Sequence, residues 1–294
     1  MVESEVSVGG RRVMVRDAGD PDGVPVVHFH GTPGSRLEVD FGAEAARRRG
    51  VRLITFDRPG YGRSEAAPTS LDLVARDVEV IVESLGVGRF AASGWSGGGP
   101  FALATAATLT DRVVRVGICG GVAPVQQVPG AGEALTENDH LALSYLPGEP
   151  ERAADVFFAG NEELLNLMVS VLDDEQAPWI DRQWGVSDPE VVADPAARRA
   201  IFVSFREAMR QGARAIAWDN VAFVGPWGID LGAVTCPVHL WYGDRDQMVS
   251  PAHGEWLARE LPDARLVRCA GEGHLVPLRH WDEILTALSR DLPG

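Results

Sequence analysis

The chain has 294 residues, of which 45% are hydrophobic, and a mean hydropathy of −0.04, enough material for one large α/β domain with an insertion. Its formal net charge of −15 argues against a nucleic-acid or anionic-membrane surface, which needs clustered basic side chains. All 27 basic residues are arginine, so Schiff-base chemistry, lysine-anchored pyridoxal phosphate and a P-loop are excluded.

The opening residues Met1-Val2-Glu3-Ser4-Glu5 lack the basic and apolar regions of a secretory signal, and no stretch has the length of a transmembrane helix. Together with the odd number of cysteines (Cys119, Cys236, Cys269) and the absence of CxxC spacing, this predicts a cytoplasmic protein with reduced thiols. Ser4 to Val8 and Arg12 to Asp17 are predicted as an antiparallel pair turned at Gly9-Gly10. Val26 to His30 and Val51 to Phe56 are short apolar runs of the kind buried in parallel sheets. Helical spacing covers Leu37 to Arg49 and again Leu71 to Leu85. Phe90 to Ser93 reads as a strand, Phe101 to Leu109 as a helix, and Val113 to Cys119 as the next strand.

The pattern then changes. From Gly121 to Gly225 the segments are helical, and Ile201, Phe202, Phe205, Ala208, Met209 and Gly212 share one predicted face. Strand and helix alternation resumes at Val238 to Tyr242, continues through Pro251 to Leu261, and closes with the strand Arg265 to Cys269. The organisation expected is a core of residues 1–120 and 227–294, interrupted by a helical cap of residues 121–226.

Within this frame Gly94-Trp95-Ser96-Gly97-Gly98 stands between a strand and a helix. A serine on such a turn exposes its hydroxyl only when small residues flank it. Gly243-Asp244-Arg245-Asp246 follows a later strand, and Gly271-Glu272-Gly273-His274 follows the last one. An open parallel sheet gathers its ligand-facing loops at those strand ends, so hydroxyl, carboxylate and imidazole are expected to converge.

These motifs, with His30-Gly31-Thr32-Pro33-Gly34 and the run Asp57 to Ser64, resemble the α/β-hydrolase superfamily, in the branch of serine hydrolases with a helical cap. The resemblance implies a mostly parallel central sheet flanked by helices. It also implies a catalytic triad of Ser96, Asp246 and His274. Asp246 is preferred over Asp244 because the family's acid usually lies three residues after the strand-ending glycine. Gly97, after the nucleophile, and Thr32, after the His-Gly pair, are the implied oxyanion donors; Pro33 has no N–H to offer. The run from Asp57 is expected to shape the active-site floor.

Trp95 and His30 are candidate pocket neighbours, although hydrogen bonding within the core is the stronger expectation for His28 and His30. The aromatic residues of the insertion imply an apolar pocket above Ser96. No histidine and carboxylate spacing suggests a metal, and the implied chemistry needs no cofactor. The expected activity is hydrolysis of small to medium hydrophobic esters, before amides, through an acyl-enzyme. Proline iminopeptidases, carbon–carbon bond hydrolases and cofactor-free haloperoxidases are alternatives on the same triad, and a non-catalytic small-molecule receptor is an alternative of another class. A serine at position 96 counts against the epoxide hydrolases and haloalkane dehalogenases, which use aspartate.

Overall fold

The computed structural model describes residues 1–170 and 178–290, apart from the side chains of Leu164, Leu167 and Met168. Strands β1 (Val2–Val8) and β2 (Arg11–Gly19) form the expected antiparallel ribbon. Gly9 and Gly10 both have positive φ, +56° and +83°, as a two-residue turn matching the strand twist requires.

The remaining strands are β3 (Val24–Phe29), β4 (Val51–Phe56), β5 (Phe90–Trp95), β6 (Val113–Cys119), β7 (Val238–Gly243) and β8 (Ala264–Cys269). They complete one eight-stranded sheet in the order β1-β2-β4-β3-β5-β6-β7-β8, parallel from β4 through β8. Strand β5 is buried along its whole length, which explains its continuous apolar run. At the β8 edge the exposed Arg265 and Arg268 discourage pairing with another sheet.

Helices cover both faces. On one side lie α1 (Ala43–Arg48) and, at the other end of the chain, a helix over Val276–Ser289. On the opposite side lie α2 (Leu71–Ser84), α3 (Gly98–Thr108) and a helix over Pro251–Glu260. In α2 the predicted stripe of Leu71, Val74, Val78 and Ile81 is buried, and the Ser70 hydroxyl caps the helix by accepting from Leu73 N at 3.1 Å. Helix α3 starts three residues earlier than predicted, because the turn at Ser96 feeds straight into it.

The expected helix over 37–49 is reduced to a 3-10 turn, Asp40–Gly42, and the short α1. The preceding residues are drawn elsewhere. Arg36 N donates to Asp57 Oδ1 at 2.7 Å, and Glu38 reaches inward to Gly31 N and to the His28 ring.

Between β6 and β7 the described residues form only helices and short turns: α4 (Glu137–Leu143), α5 (Pro150–Ser170), α6 (Trp179–Trp184), α7 (Pro189–Ala193), α8 (Pro195–Ala208) and α9 (Arg214–Phe223). Residues 171–177 of the expected insertion lie outside the described residues. On α8, Ile201, Phe202 and Ala208 are buried as the spacing predicts. Met209 begins a separate 3-10 turn, and Gly212, at φ +85°, lies beyond the helix. The two core helices after β7 and β8 become α10 (Pro251–Glu260) and α11 (Val276–Ser289).

Candidate active site

Ser96 follows β5 directly and has φ +53°, the one left-handed backbone conformation at a non-glycine among the described residues. Such a conformation costs about 1–3 kcal/mol and persists only where its surroundings enforce it. Here Ser96 N donates to Cys119 O at 2.9 Å, and Ser96 O accepts from Gly99 N at 3.0 Å in the first turn of α3. The flanking glycines are steric necessities. A Cβ on Gly94 would lie 2.6 Å from Gly98 O, and one on Gly97 would lie 2.3 Å from Thr32 Oγ1.

The loops after β7 and β8 meet beside this turn. Asp246 Oδ2 and His274 Nδ1 are 2.7 Å apart, both side chains buried. The other carboxylate oxygen accepts from Met248 N at 2.8 Å and Val249 N at 2.9 Å, which fixes its orientation. Asp244 is exposed and accepts from Gly271 N at 2.7 Å, so it braces a turn and does not reach the imidazole. Gly120, at the end of β6, leaves room for the pair: a Cβ there would lie 3.2 Å from His274 Nδ1. His274 Nε2 and Ser96 Oγ have no hydrogen bond to each other or to any other group among the described residues. Such contacts often tighten only when substrate is present.

Thr32 lies against Gly97. Neither backbone N–H of these two residues donates to a protein acceptor among the described residues, so two donors remain free next to Ser96. The start of α3 adds its own partial positive charge there.

His30 and Trp95, like Ser96, are not in the lining of the cavity between Thr32-Pro33 and the helices that follow β6. Both side chains are spent on internal hydrogen bonds. His30 Nε2 accepts from Arg58 N at 3.1 Å, so its Nδ1 carries the proton that is donated to Gly31 O at 2.8 Å. Burial, and then the Arg58 charge, hold its pKa well below the usual histidine range. Trp95 Nε1 donates to His274 O at 3.0 Å, supporting the histidine loop from below.

The sequence profile of the α/β hydrolase fold family matches residues 24–280. The chain belongs to this family.

Among its relatives, a proline iminopeptidase of Neisseria gonorrhoeae is 36% identical over 106 residues, 33% of this chain and 32% of that protein. A non-heme chloroperoxidase of Streptomyces lividans is 34% identical over 119 residues, 40% of this chain and 43% of that protein. The chain thus spans well under half the length of these curated relatives. An esterase from Exiguobacterium antarcticum superposes with a TM-score of 0.70 over 98% of each chain at 20% identity, a likeness of fold.

In this α/β hydrolase a cavity of about 450 Å³ lies between Thr32-Pro33 and the inserted helices. Trp179, Trp184 and Phe205 line it as a group of mutually contacting rings, with Phe157, Leu165 and Met248 adding apolar surface. Thr32, Asn161, Arg182, Gln183 and Asn220 supply its polar side chains. Ser96 itself is not part of the lining; the cavity meets the site at Thr32.

Two buried charged residues at this site, Asp188 and Asp219, carry no local sequence signal. Asp188, just before α7, accepts from Gly273 N and His274 N, each at 2.9 Å, and so holds the histidine loop through its backbone. Asp219 on α9 pairs with Arg58 at 2.6 Å and accepts from Tyr61 Oη at 2.8 Å. Arg58 belongs to the run from Asp57, whose expected structural role thereby acquires named contacts. Replacing Asp188 with alanine would orphan two buried N–H groups, at about 1–3 kcal/mol each. The expected result is a Tm lower by about 5–10 °C and a reduced kcat, read by thermal unfolding and steady-state rates.

Burial pushes the Cys236 thiol up to about 11 and that of Cys269 up to about 12, so neither is a ready nucleophile. Cys269, Glu272 and His280 bring donor atoms within 4.8 Å of one another. His280 Nε2 already bonds Glu272 at 2.9 Å, an ion pair that raises the histidine's pKa against its burial. Among the described residues no helix is long and apolar enough to cross a membrane.

Proposed function

We propose that this α/β hydrolase is a serine hydrolase of small to medium hydrophobic esters, acting through an acyl-enzyme on Ser96. The observation that carries the proposal is the Asp246–His274 pair, placed beside a strained serine and two free backbone donors. His274 Nε2 takes the Ser96 proton as Oγ attacks the ester carbonyl. Asp246 keeps the other imidazole proton on Nδ1 and stabilises the imidazolium. The developing oxyanion rests on Thr32 N–H and Gly97 N–H. The imidazolium then protonates the departing alkoxide. Water, deprotonated by the same histidine, cleaves the acyl-enzyme and regenerates Ser96.

In this reading residues 121–226 act as a cap. Its aromatic cavity takes the apolar part of the substrate. No metal or cofactor is required for any step.

A series of p-nitrophenyl esters tests the substrate class. Each methylene buried in the cavity contributes about 0.8 kcal/mol, so kcat/KM is expected to rise about fourfold per added carbon from acetate towards hexanoate. A flat or falling series would contradict an apolar acyl site. Release from proline p-nitroanilide with no ester turnover would instead favour the iminopeptidase alternative. The absence of turnover on both would favour a small-molecule receptor.

A further inference from the structure

We infer that Arg58 is a positioning residue for the oxyanion hole, gripping the carbonyl side of the peptide whose N–H faces the substrate, and that Asp219 ties this grip to the cap. The inference rests on the mechanism proposed above and goes beyond it by assigning work to a residue that never touches substrate.

The geometry is as follows. Arg58 Nη2 donates to Gly31 O at 3.0 Å and to Thr32 Oγ1 at 3.1 Å, while Nη1 donates to His30 O. His30 Nδ1 donates to the same Gly31 carbonyl at 2.8 Å. The Gly31–Thr32 peptide is trans, so its C=O and N–H point in opposite directions. With the oxygen held by two donors, one of them charged, the plane of the peptide is fixed and the Thr32 N–H projects away from Arg58. Donation to a carbonyl also polarises the amide and strengthens its own N–H as a donor.

A donor fixed before the reaction begins needs no reorganisation when the oxyanion forms, which is where such groups act most strongly. Arg58 is itself fixed. It is fully buried, its guanidinium lies 4.5 Å from the centre of the Phe101 ring on α3, and its Nε and Nη2 reach both carboxylate oxygens of Asp219 on α9. Asp219 also accepts from Thr32 Oγ1 at 2.5 Å, so one carboxylate on an inserted helix holds both Arg58 and the donor residue.

The test separates positioning from bulk stability. Arg58→Met/Asp219→Asn removes the guanidinium without leaving a buried carboxylate unpaired, whereas Asp219→Asn alone leaves a buried cation without its counter-charge. The single variant is therefore expected to have the lower Tm and yet the higher kcat, because it retains the guanidinium on Gly31 O. For the double variant kcat is expected to fall about 100-fold with KM within threefold of the parent.

Affinity for an alkylboronic acid should fall by a similar factor. Its boron bonds Ser96 Oγ as the serine proton passes to His274, which places a boronate oxygen in the hole. Parent-like kcat and boronate affinity in the folded double variant would overturn the inference, as would activities that rank in the order of Tm. Should the double variant not fold, Arg58→Lys carries the test. A single ammonium cannot reach both carbonyls and Asp219 as the fork does, so kcat and boronate affinity are expected to fall together by at least about tenfold. Unchanged values there would also overturn the inference. Ser96→Ala in the same series identifies which idea has failed. If it abolishes hydrolysis while the Arg58 variants are parent-like, only the positioning role is lost; if it hydrolyses esters, the mechanism beneath the inference is wrong.

Discussion

Ser96→Ala is expected to lower kcat for ester hydrolysis by about 10⁶-fold with little change in Tm. The size follows from the proposed mechanism, because among the described residues no other hydroxyl or thiol bonds the Asp246–His274 pair. The unchanged Tm follows from the backbone. Alanine keeps a Cβ, so the φ of +53° at position 96 stays as strained as it is with serine. Ser96→Gly supplies the complementary result. Glycine accepts that conformation without strain, so this variant should be equally inactive but more stable than Ser96→Ala by about 1 kcal/mol, or about 2–4 °C in Tm. Equal stability of the two variants would mean that the turn is relaxed. Residual hydrolysis above about one thousandth of the parent rate in either would place the nucleophile elsewhere.

The second large effect is expected at Asp246. Asp246→Asn should lower kcat by about 10⁴-fold. The carboxylate oxygen Oδ1 accepts from Met248 N and Val249 N, so an asparagine would turn its amide oxygen towards those two donors. Its NH2 group would then face His274 Nδ1, which would have to accept. The imidazole proton would move to Nε2, the atom that must receive the serine proton. Asp244→Asn provides the control, since that side chain is exposed and supports only the Gly271 turn. Its kcat should stay within about threefold of the parent, as for most exposed substitutions. A reversed order between the two variants in steady-state ester hydrolysis would assign the triad acid to Asp244.

The sheet was legible because its strands are short apolar runs and its order of elements follows one alternating pattern. The exception is the spacing over 37–49, which is helical, whereas Arg36 bonds Asp57 and Glu38 turns back to Gly31 and His28, contacts that hydrophobic periodicity does not encode. The glycines of the elbow and the order of the three loops were legible for a similar reason, since each loop follows a strand and the sheet brings strand ends together.

Asp188 and Asp219 were not legible. Ser187-Asp188-Pro189 reads as the start of a helix, yet the Asp188 side chain bonds a loop 85 residues away; Asp219 sits on a helix with no exposed residue and meets Arg58 at a separation of 161 residues. Trp95 and His30 are a different case. Adjacency to Ser96 and to the oxyanion loop made them candidates for the pocket; their ring nitrogens bond internally, as expected for His30, Trp95 Nε1 to His274 O and His30 Nδ1 to Gly31 O.

Mapping the adduct of a fluorophosphonate by mass spectrometry tests the central claim most directly, because the reagent needs an activated serine and a working oxyanion hole. The expected result is one phosphonyl group per chain, attached at Ser96, formed at a rate that falls in parallel with kcat in Asp246→Asn. Sustained ester hydrolysis by protein that carries no adduct on Ser96, or an adduct on another residue, would contradict the account.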